Sequence, residues 1–359
     1  MIGICAVVVL VFYAFWIPAV LYIAYNWFTR KFNYLYQNSD YTDPKYLPFI
    51  RHDRKNWSAT EFILVGIFIA PLRILLILVS LLAGIVVNKM LLRLYGVKDM
   101  EAERCENLNR VAKIVSRLIT GTLIFALGFK INHYERSFDE TKHPKLKQVE
   151  ETSKNTTVII SNHVTWADIL YFIHSPYNAC FLSKAGVAQY PIAGFYSRLI
   201  QCIFIKRDEM NDRLAVLEQL KNRVQSIKEG KHYNKIVIFP EGTTTNGRFI
   251  LPFKRGAFVL NTPLKIIALK YNGRIDPCFN MMNTLDSIIA AIFQLYSRLD
   301  VYFVEGLLAP NNGVDWKEYR TAVRDFMSTE FNLIKSPGVF EDKRELERRC
   351  FEFSDKEYE

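Results

Sequence analysis

TVIISNHVTWADIL (157–170) reads as a strand, a turn and the start of a helix. Thr157 to Ile160 are all β-branched, a composition that suits a buried pleated strand. Ser161-Asn162 interrupts the run, and ADILYFI (167–173) resumes it with a helical pattern. Inside that turn stand His163 and Asp168, spaced as H-x-x-x-x-D. FPEGTTTNG (239–247) repeats the plan, since the apolar run KIVIF (235–239) leads straight into Glu241-Gly242-Thr243. Open α/β sheets gather their ligands beyond the carboxyl ends of strands. Both turns are therefore candidates for a single site.

Working outward, ACFLSK (179–184), CIFIKR (202–207), KIIALKY (265–271) and VYFVEGLL (301–308) read as further strands. Leu214, Leu217, Leu220, Val224 and Ile227 recur at helical spacing, and Gly230 follows as a C-cap. Strands alternating with helices predict an α/β domain, a mostly parallel sheet flanked by helices. The segment 132–156 reads as a polar linker or surface stretch, and 336–359 as a charged helix or tail. No internal repeat is visible.

The chain has 359 residues, of which 50% are hydrophobic and 23% charged, so apolar segments attached to a soluble body fit better than a polytopic bundle. A net charge of +10 favours anionic partners such as a membrane surface or a phosphorylated ligand. Nucleic acid fits the charge alone, but no recognition motif supports it. The six cysteines are scattered without a C-x-x-C pair, so neither a metal site nor a disulfide framework is expected.

Residues 1–25 are long and apolar enough to span a bilayer and read as a retained anchor, with Arg30 and Lys31 on the cytosolic side. The apolar run 62–87 contains Pro71 and Arg73 and carries positive charge on both flanks. Mid-bilayer arginine costs roughly 2.5–3.5 kcal/mol even on lenient scales. A helix broken at Pro71, re-entering the membrane with Arg73 reaching towards headgroups, is the expectation. LITGTLIFALGFKI (118–131) is too short to cross and reads as a buried or interfacial helix. The organisation expected is an anchor at 1–25, linker and membrane helices at 26–131, a catalytic domain at 132–335 and a tail at 336–359.

Histidine is the usual base for activating a hydroxyl, and a carboxylate behind it would fix its tautomer. No protein serine or cysteine lies inside the first motif to act as nucleophile. An isolated H-x-x-x-x-D is far better explained by a core or turn histidine and an N-cap aspartate. The ordered second and third blocks shift that balance. N-H-x-x-x-x-D followed by F-P-E-G-T resembles the glycerophospholipid acyltransferase superfamily. The longer strings SNHVTWADIL and FPEGTTTNG are most similar to its lysophosphatidylcholine/lysophosphatidylethanolamine acyltransferase branch.

That resemblance implies His163 as base and Asp168 as its partner, with transfer from acyl-CoA to the free hydroxyl of a lysophospholipid and no covalent intermediate. It implies substrate binding at Glu241, Gly242 and Thr243, and at Arg207, which matches the arginine of the second block (CIFIKRD, 202–208). Lys254 and Arg255 are candidates for the coenzyme A phosphates. Headgroup discrimination is expected in the loop Thr244–Phe249. The fourth block departs from the family pattern, with Pro263 early and Ile266 where a second proline is usual. Acyl-CoA is expected as co-substrate, with no bound cofactor and no metal. Membrane lipids are the expected surroundings, at the endoplasmic reticulum with the catalytic domain facing the cytosol. Acyl transfer to 1-acylglycerol-3-phosphate or glycerol 3-phosphate, and CoA-independent transacylation, stay open. A non-catalytic lipid-binding protein is the remote alternative.

Overall fold

Alternating β-branched runs and amphipathic helices produce a layered α/β body in the computed structural model, which describes residues 2–32, 42–177, 179–205, 210–278 and 280–356. Helices α1 (Ile2–Asn26), α2 (Ala59–Phe68), α3 (Ala70–Leu94) and α4 (Glu106–Ala126) precede the sheet. The sheet strands are β1 (Phe129–Arg136), β2 (Leu146–Val149), β3 (Val158–Ser161), β4 (Cys180–Lys184), β5 (Ile203–Ile205) and β6 (Ile236–Ile238), then β8 (Leu264–Asn272), β9 (Ser297–Val304) and β10 (Leu307–Pro310). The short strands β7 (Phe249–Ile250) and β11 (Ile334–Lys335) pair separately. Between and after the strands run α5 (Ala167–His174), α6 (Pro191–Leu199), α7 (Met210–Lys228), α8 (Thr284–Phe293), α9 (Trp316–Glu330) and α10 (Phe340–Lys356).

The main sheet has the order β1-β9-β8-β3-β6-β4-β5. From β8 to β5 every pairing is parallel, while β9 runs antiparallel to β8 and parallel to β1. Strand β3 sits between β6 and β8, and its four residues are all buried. A strand covered on both faces reads as a continuous apolar run, which is why TVII lacks polar alternation. Val158 and Ile160 face α9, through Tyr319, Val323 and Phe326, while Ile159 faces α5 through Tyr171 and Phe172. The expected amphipathic helix is α7: Leu220, Val224 and Ile227 are buried, Leu214 is exposed, and Gly230 adopts φ +89° just beyond.

Several boundaries differ from the sequence reading. The run VYFVEGLL is two strands, because Gly306 at φ +67° turns the chain between β9 and β10. The stretch 118–131 is not one helix: α4 begins at Glu106, ends at Ala126, and Phe129 opens β1. The supposed linker 132–156 supplies most of β1 and all of β2. Edge position explains its polarity, since Lys130, Tyr134 and Arg136 are exposed on β1.

The apolar run 62–87 is broken, as α2 ends at Phe68 and Pro71 lies in the first turn of α3. Proline is tolerated there because the N–H it lacks has no helical partner anyway. Arg73, however, does not reach outward. Its guanidinium donates to the carbonyls of Ile292 (2.8 Å), Gln294 (2.6 Å) and Leu295 (2.6 Å), just past the end of α8. Those carbonyls have no helical donor, so the arginine satisfies groups that would otherwise be buried unpaired. Among the described residues, two stretches, Val7–Lys31 and Ala70–Leu94, are long and apolar enough to cross a membrane by length and composition.

Candidate functional site

The site follows from the register of two neighbouring strands. Val158 pairs with Ile236 and Ile160 with Ile238. Three residues further on each chain, the same offset brings His163 level with Glu241. The His163 backbone N–H donates to Glu241 Oε1 at 3.1 Å, and the Thr245 N–H returns to the His163 carbonyl at 2.9 Å. The two motifs are thus sewn together where β3 and β6 end. On the other side of β3, Asn162 takes over from the backbone as it leaves the sheet. Its amide donates to the Leu269 carbonyl (2.9 Å) while its Oδ1 accepts the Leu269 N–H (2.8 Å). Only a side chain with both a donor and an acceptor can imitate a strand pair in this way.

Asp168 lies in the first turn of α5 and is fully buried. Its Oδ2 accepts from His163 Nδ1 (2.8 Å), the Val164 N–H (2.7 Å) and the Thr165 N–H (3.1 Å). Its Oδ1 accepts from the Tyr271 hydroxyl at 2.7 Å. The N-cap of α5 is Trp166, without a side-chain cap, so Asp168 is not the capping residue; its Oδ2 instead orients the histidine and ties down the loop that precedes the helix. Because that oxygen accepts, the imidazole proton belongs on Nδ1 and the lone pair on Nε2. Among the described residues Nε2 has no hydrogen-bond partner, and the His163 side chain keeps 21% of its surface exposed. The ring stacks on Phe239 with centroids 4.0 Å apart and planes 11° off parallel. One side chain thus fixes the ring by a hydrogen bond and another by its face, while one nitrogen is left for chemistry.

Glu241 occupies a different position from the one expected of a residue that contacts substrate. It is 3% exposed, and its second oxygen accepts the Leu251 N–H at 2.9 Å. Burial pushes its carboxyl up to about 8, against the opposing pull of the two backbone donors from Leu251 and His163. The carboxyl group braces the turn from inside. Gly242 adopts φ +71°, and a Cβ there would lie 2.7 Å from Lys254 Cε and Nζ. The backbone angle is what calls for glycine, since the end of the exposed Lys254 side chain is free to shift. Thr243 is largely buried in the same turn.

The loop expected to read the headgroup is mostly occupied by the protein. Thr244 accepts from Lys343, and the Asn246 amide donates to Leu47 (2.8 Å) and Ile50 (3.0 Å) while its N–H bonds Pro48 (2.8 Å). Arg248 is the exposed cation of that loop. Lys254 therefore lies beside the turn, with Arg255 next to it and exposed. Arg207 and the neighbouring Lys206 lie outside the described residues. Thr165, the hydroxyl between the two motif residues, donates to the Pro277 carbonyl at 2.5 Å and is fully buried, so it is held away from any attack. Among the described residues no group of three His, Cys, Asp or Glu could hold a metal ion.

Sequence reasoning missed Tyr271, Phe239 as a ring partner, and Lys343. Phe239 was within the quoted motif, and Tyr271 closes the run KIIALKY, so the residues were visible without their roles.

Residues 141–271 match the family model described as Acyltransferase. Lysophospholipid acyltransferase LPEAT1 of Arabidopsis thaliana is 31% identical over 247 residues, 64% of this chain and 61% of that protein. Lysophosphatidylcholine acyltransferase 2 of Rattus norvegicus is 22% identical over 86% of this chain and 54% of its own length. The chain therefore spans between half and two thirds of these curated relatives. Among solved structures, the 1-acyl-sn-glycerophosphate (LPA) acyltransferase PlsC from Thermotoga maritima matches at TM-score 0.46 and 16% identity, over 71% of this chain and 92% of that one. The sewn H-x-x-x-x-D and E-G-T turns both lie inside the Acyltransferase region 141–271, and these relatives support a likeness to the lysophosphatidylcholine/lysophosphatidylethanolamine acyltransferase branch of the glycerophospholipid acyltransferases.

Proposed function

We propose that this chain moves a fatty acyl group from acyl-CoA to the free hydroxyl of a lysophospholipid, favouring lysophosphatidylcholine or lysophosphatidylethanolamine. The observation that carries the reading is the 2.8 Å contact from His163 Nδ1 to Asp168, with Nε2 left without a partner among the described residues, beyond the carboxyl end of β3. In this scheme Nε2 takes the acceptor's hydroxyl proton as its oxygen bonds to the thioester carbonyl carbon. The tetrahedral adduct then collapses, the carbon–sulfur bond breaks, and the imidazolium returns its proton to the coenzyme A thiolate. Asp168 stabilises the imidazolium in between, the role a carboxylate plays behind any catalytic histidine of this kind. Burial of Thr165 supports direct attack by the substrate, without an acyl-enzyme.

Arg207 and the Glu241–Thr243 turn are assigned to the acceptor phosphate, with Glu241 shaping the turn and its backbone and Thr243 facing the ligand. Lys254 and Arg255 are assigned to the coenzyme A phosphates. Arg30 and Lys31 after the first apolar helix support a body facing the cytosol. The test is a panel of lysophospholipids and glycerol phosphates assayed with labelled acyl-CoA, using the parental protein and His163→Ala in membranes. Label entering phosphatidylcholine or phosphatidylethanolamine only with the parental protein is the expected result. Acylation of lysophosphatidic acid alone overturns the acceptor assignment, and label retained covalently on the protein overturns direct transfer.

A further inference from the structure

The charged C-terminal segment is built into the site. Helix α10 seats Leu346, which is fully buried, in the core cluster that also holds Tyr46 and Phe49. Just before it, the Ser336 hydroxyl donates to the Pro44 carbonyl at 3.0 Å, and a Cβ on Gly338 would lie 2.4 Å from the Lys45 carbonyl. This places Lys343, one turn before Leu346, under the E-G-T-T turn. Lys343 is 6% exposed, and its ammonium donates to Thr244 Oγ1 at 2.6 Å and to the Thr244 carbonyl at 3.2 Å. Glu347, one turn further on, forms an ion pair with it at 4.0 Å, too long for a hydrogen bond.

Burying a lysine is costly unless its charge is met by good partners. Here both hydrogen bonds go to one residue of the functional turn. That residue's neighbour, Thr245, holds the His163 carbonyl through its own N–H. Lys343, 99 residues from Thr244 in sequence, is thus two bonded steps from the backbone of the candidate base. We infer that Lys343 is a positioning residue: α10 delivers its ammonium to Thr244, fixing the turn that faces the acceptor and, through Thr245, the loop that carries His163.

The inference rests on the acyl-transfer reading for its kinetic effect but not for its structural one, and the experiment separates the two. Lys343→Ala, Lys343→Arg and Thr244→Val are made in the full chain and compared in membranes. Lys343→Ala is expected to lower kcat about tenfold and raise the acceptor KM several-fold, with the acyl-CoA KM within twofold of the parent. Lys343→Arg should restore at least part of kcat. The double variant Lys343→Ala/Thr244→Val should be no worse than the poorer single one. Hydrogen exchange gives the second readout: peptides covering 241–247 should lose protection in Lys343→Ala while those covering 158–161 keep theirs. If Lys343→Ala fails to fold, Thr244→Val carries the same exchange prediction. Unchanged protection at 241–247, or additive kinetic losses in the double variant, overturns the inference. A parental protein with no acyl transfer overturns the proposed function instead and leaves the exchange result to decide the role of Lys343.

Discussion

At the scale of single residues, the candidate base is defined by what surrounds it. His163 has Asp168 behind one nitrogen and Phe239 under its ring. His163→Ala should cost about 10²–10⁴-fold in acyl transfer, the usual contribution of a general base, with the protein still folded and membrane-bound. Near-parental turnover in that variant would dismiss the mechanism. Tyr271 gives a finer test. Its hydroxyl donates to Asp168 at 2.7 Å, and burial together with Asp168 raises its own pKa well above the ordinary tyrosine value. It therefore remains a donor at every working pH. Hydrogen bonds to charged groups are worth about 1.5–3 kcal/mol net, so Tyr271→Phe should lower kcat by roughly tenfold while both Michaelis constants stay near parental. Steady-state kinetics in both substrates decide it, and an equal loss in the acyl-CoA KM would point to damaged packing instead.

At the scale of elements, a buried polar side chain braces both the turn after β6, where Glu241 acts alongside Lys343, and the end of α8, where Arg73 acts. The Glu241 carboxyl keeps its proton up to about pH 8 in the folded chain but ionises near the ordinary 4.5 when unfolded. Between those values the folded form binds more protons, so this group's stabilisation declines as pH rises from about 4.5 to about 8 and is flat beyond. Glu241→Gln should remove that slope from a plot of thermal midpoint against pH. It should also lower the midpoint overall, since an amide cannot accept from both the His163 and Leu251 N–H groups. A parallel slope in parent and variant would place the titrating group elsewhere. Arg73→Met should be severe, because it leaves the Ile292, Gln294 and Leu295 carbonyls without their donor, at about 1–3 kcal/mol for each unsatisfied group. An arginine that merely reached into headgroups would tolerate the change, so detergent-extracted yield and thermal midpoint discriminate the two. The contrast shows what the sequence carries. Strands β3 and β6 and the turns after them were legible, because each is a local pattern: a β-branched run, then polar residues with a distinctive spacing. The partners of Arg73, Asn246 and Thr244 were not, because they lie about 100 to 220 residues away and only the packed chain brings them close. Gly306 was misread for a different reason: a tight turn inside an apolar run leaves the hydrophobic pattern unbroken.

At the scale of the whole molecule, the first helix belongs partly to the membrane and partly to the body. Its first half, represented by Val7 to Val11 and Phe15, is exposed. Its second half is packed: Val20, Ala24 and Trp27 are buried, Trp16 donates to the Gly66 carbonyl at 2.9 Å, and Lys31 pairs with Asp286 at 2.6 Å. Trp27 meets Phe32, Trp57 and Phe62 with ring centroids 4.9 to 5.6 Å apart. The free half, Ile2 to Phe15, reaches about 20 Å at 1.5 Å per residue, short of the ~30 Å hydrocarbon core. Membrane burial must then continue along neighbouring apolar surface, and α3 offers it in Leu72, Leu75, Val79, Leu82, Val86 and Met90, all exposed. Two deletions should therefore behave differently. Removing residues 2–15 should leave the thermal midpoint nearly unchanged and the protein still in the membrane fraction at low salt, with part of it released by alkaline carbonate. Removing residues 2–31 takes out the buried Trp27 with Val20 and Ala24, and the partly buried Trp16 and Phe28; truncating one buried aromatic costs about 3–5 kcal/mol, so this deletion should abolish stable expression. Flotation on liposomes, paired with thermal midpoints for both variants, reads the difference. A 2–15 deletion that is fully soluble without detergent would show that α3 does not hold the membrane. A well-folded 2–31 deletion would show that the packed half of α1 is dispensable to the core.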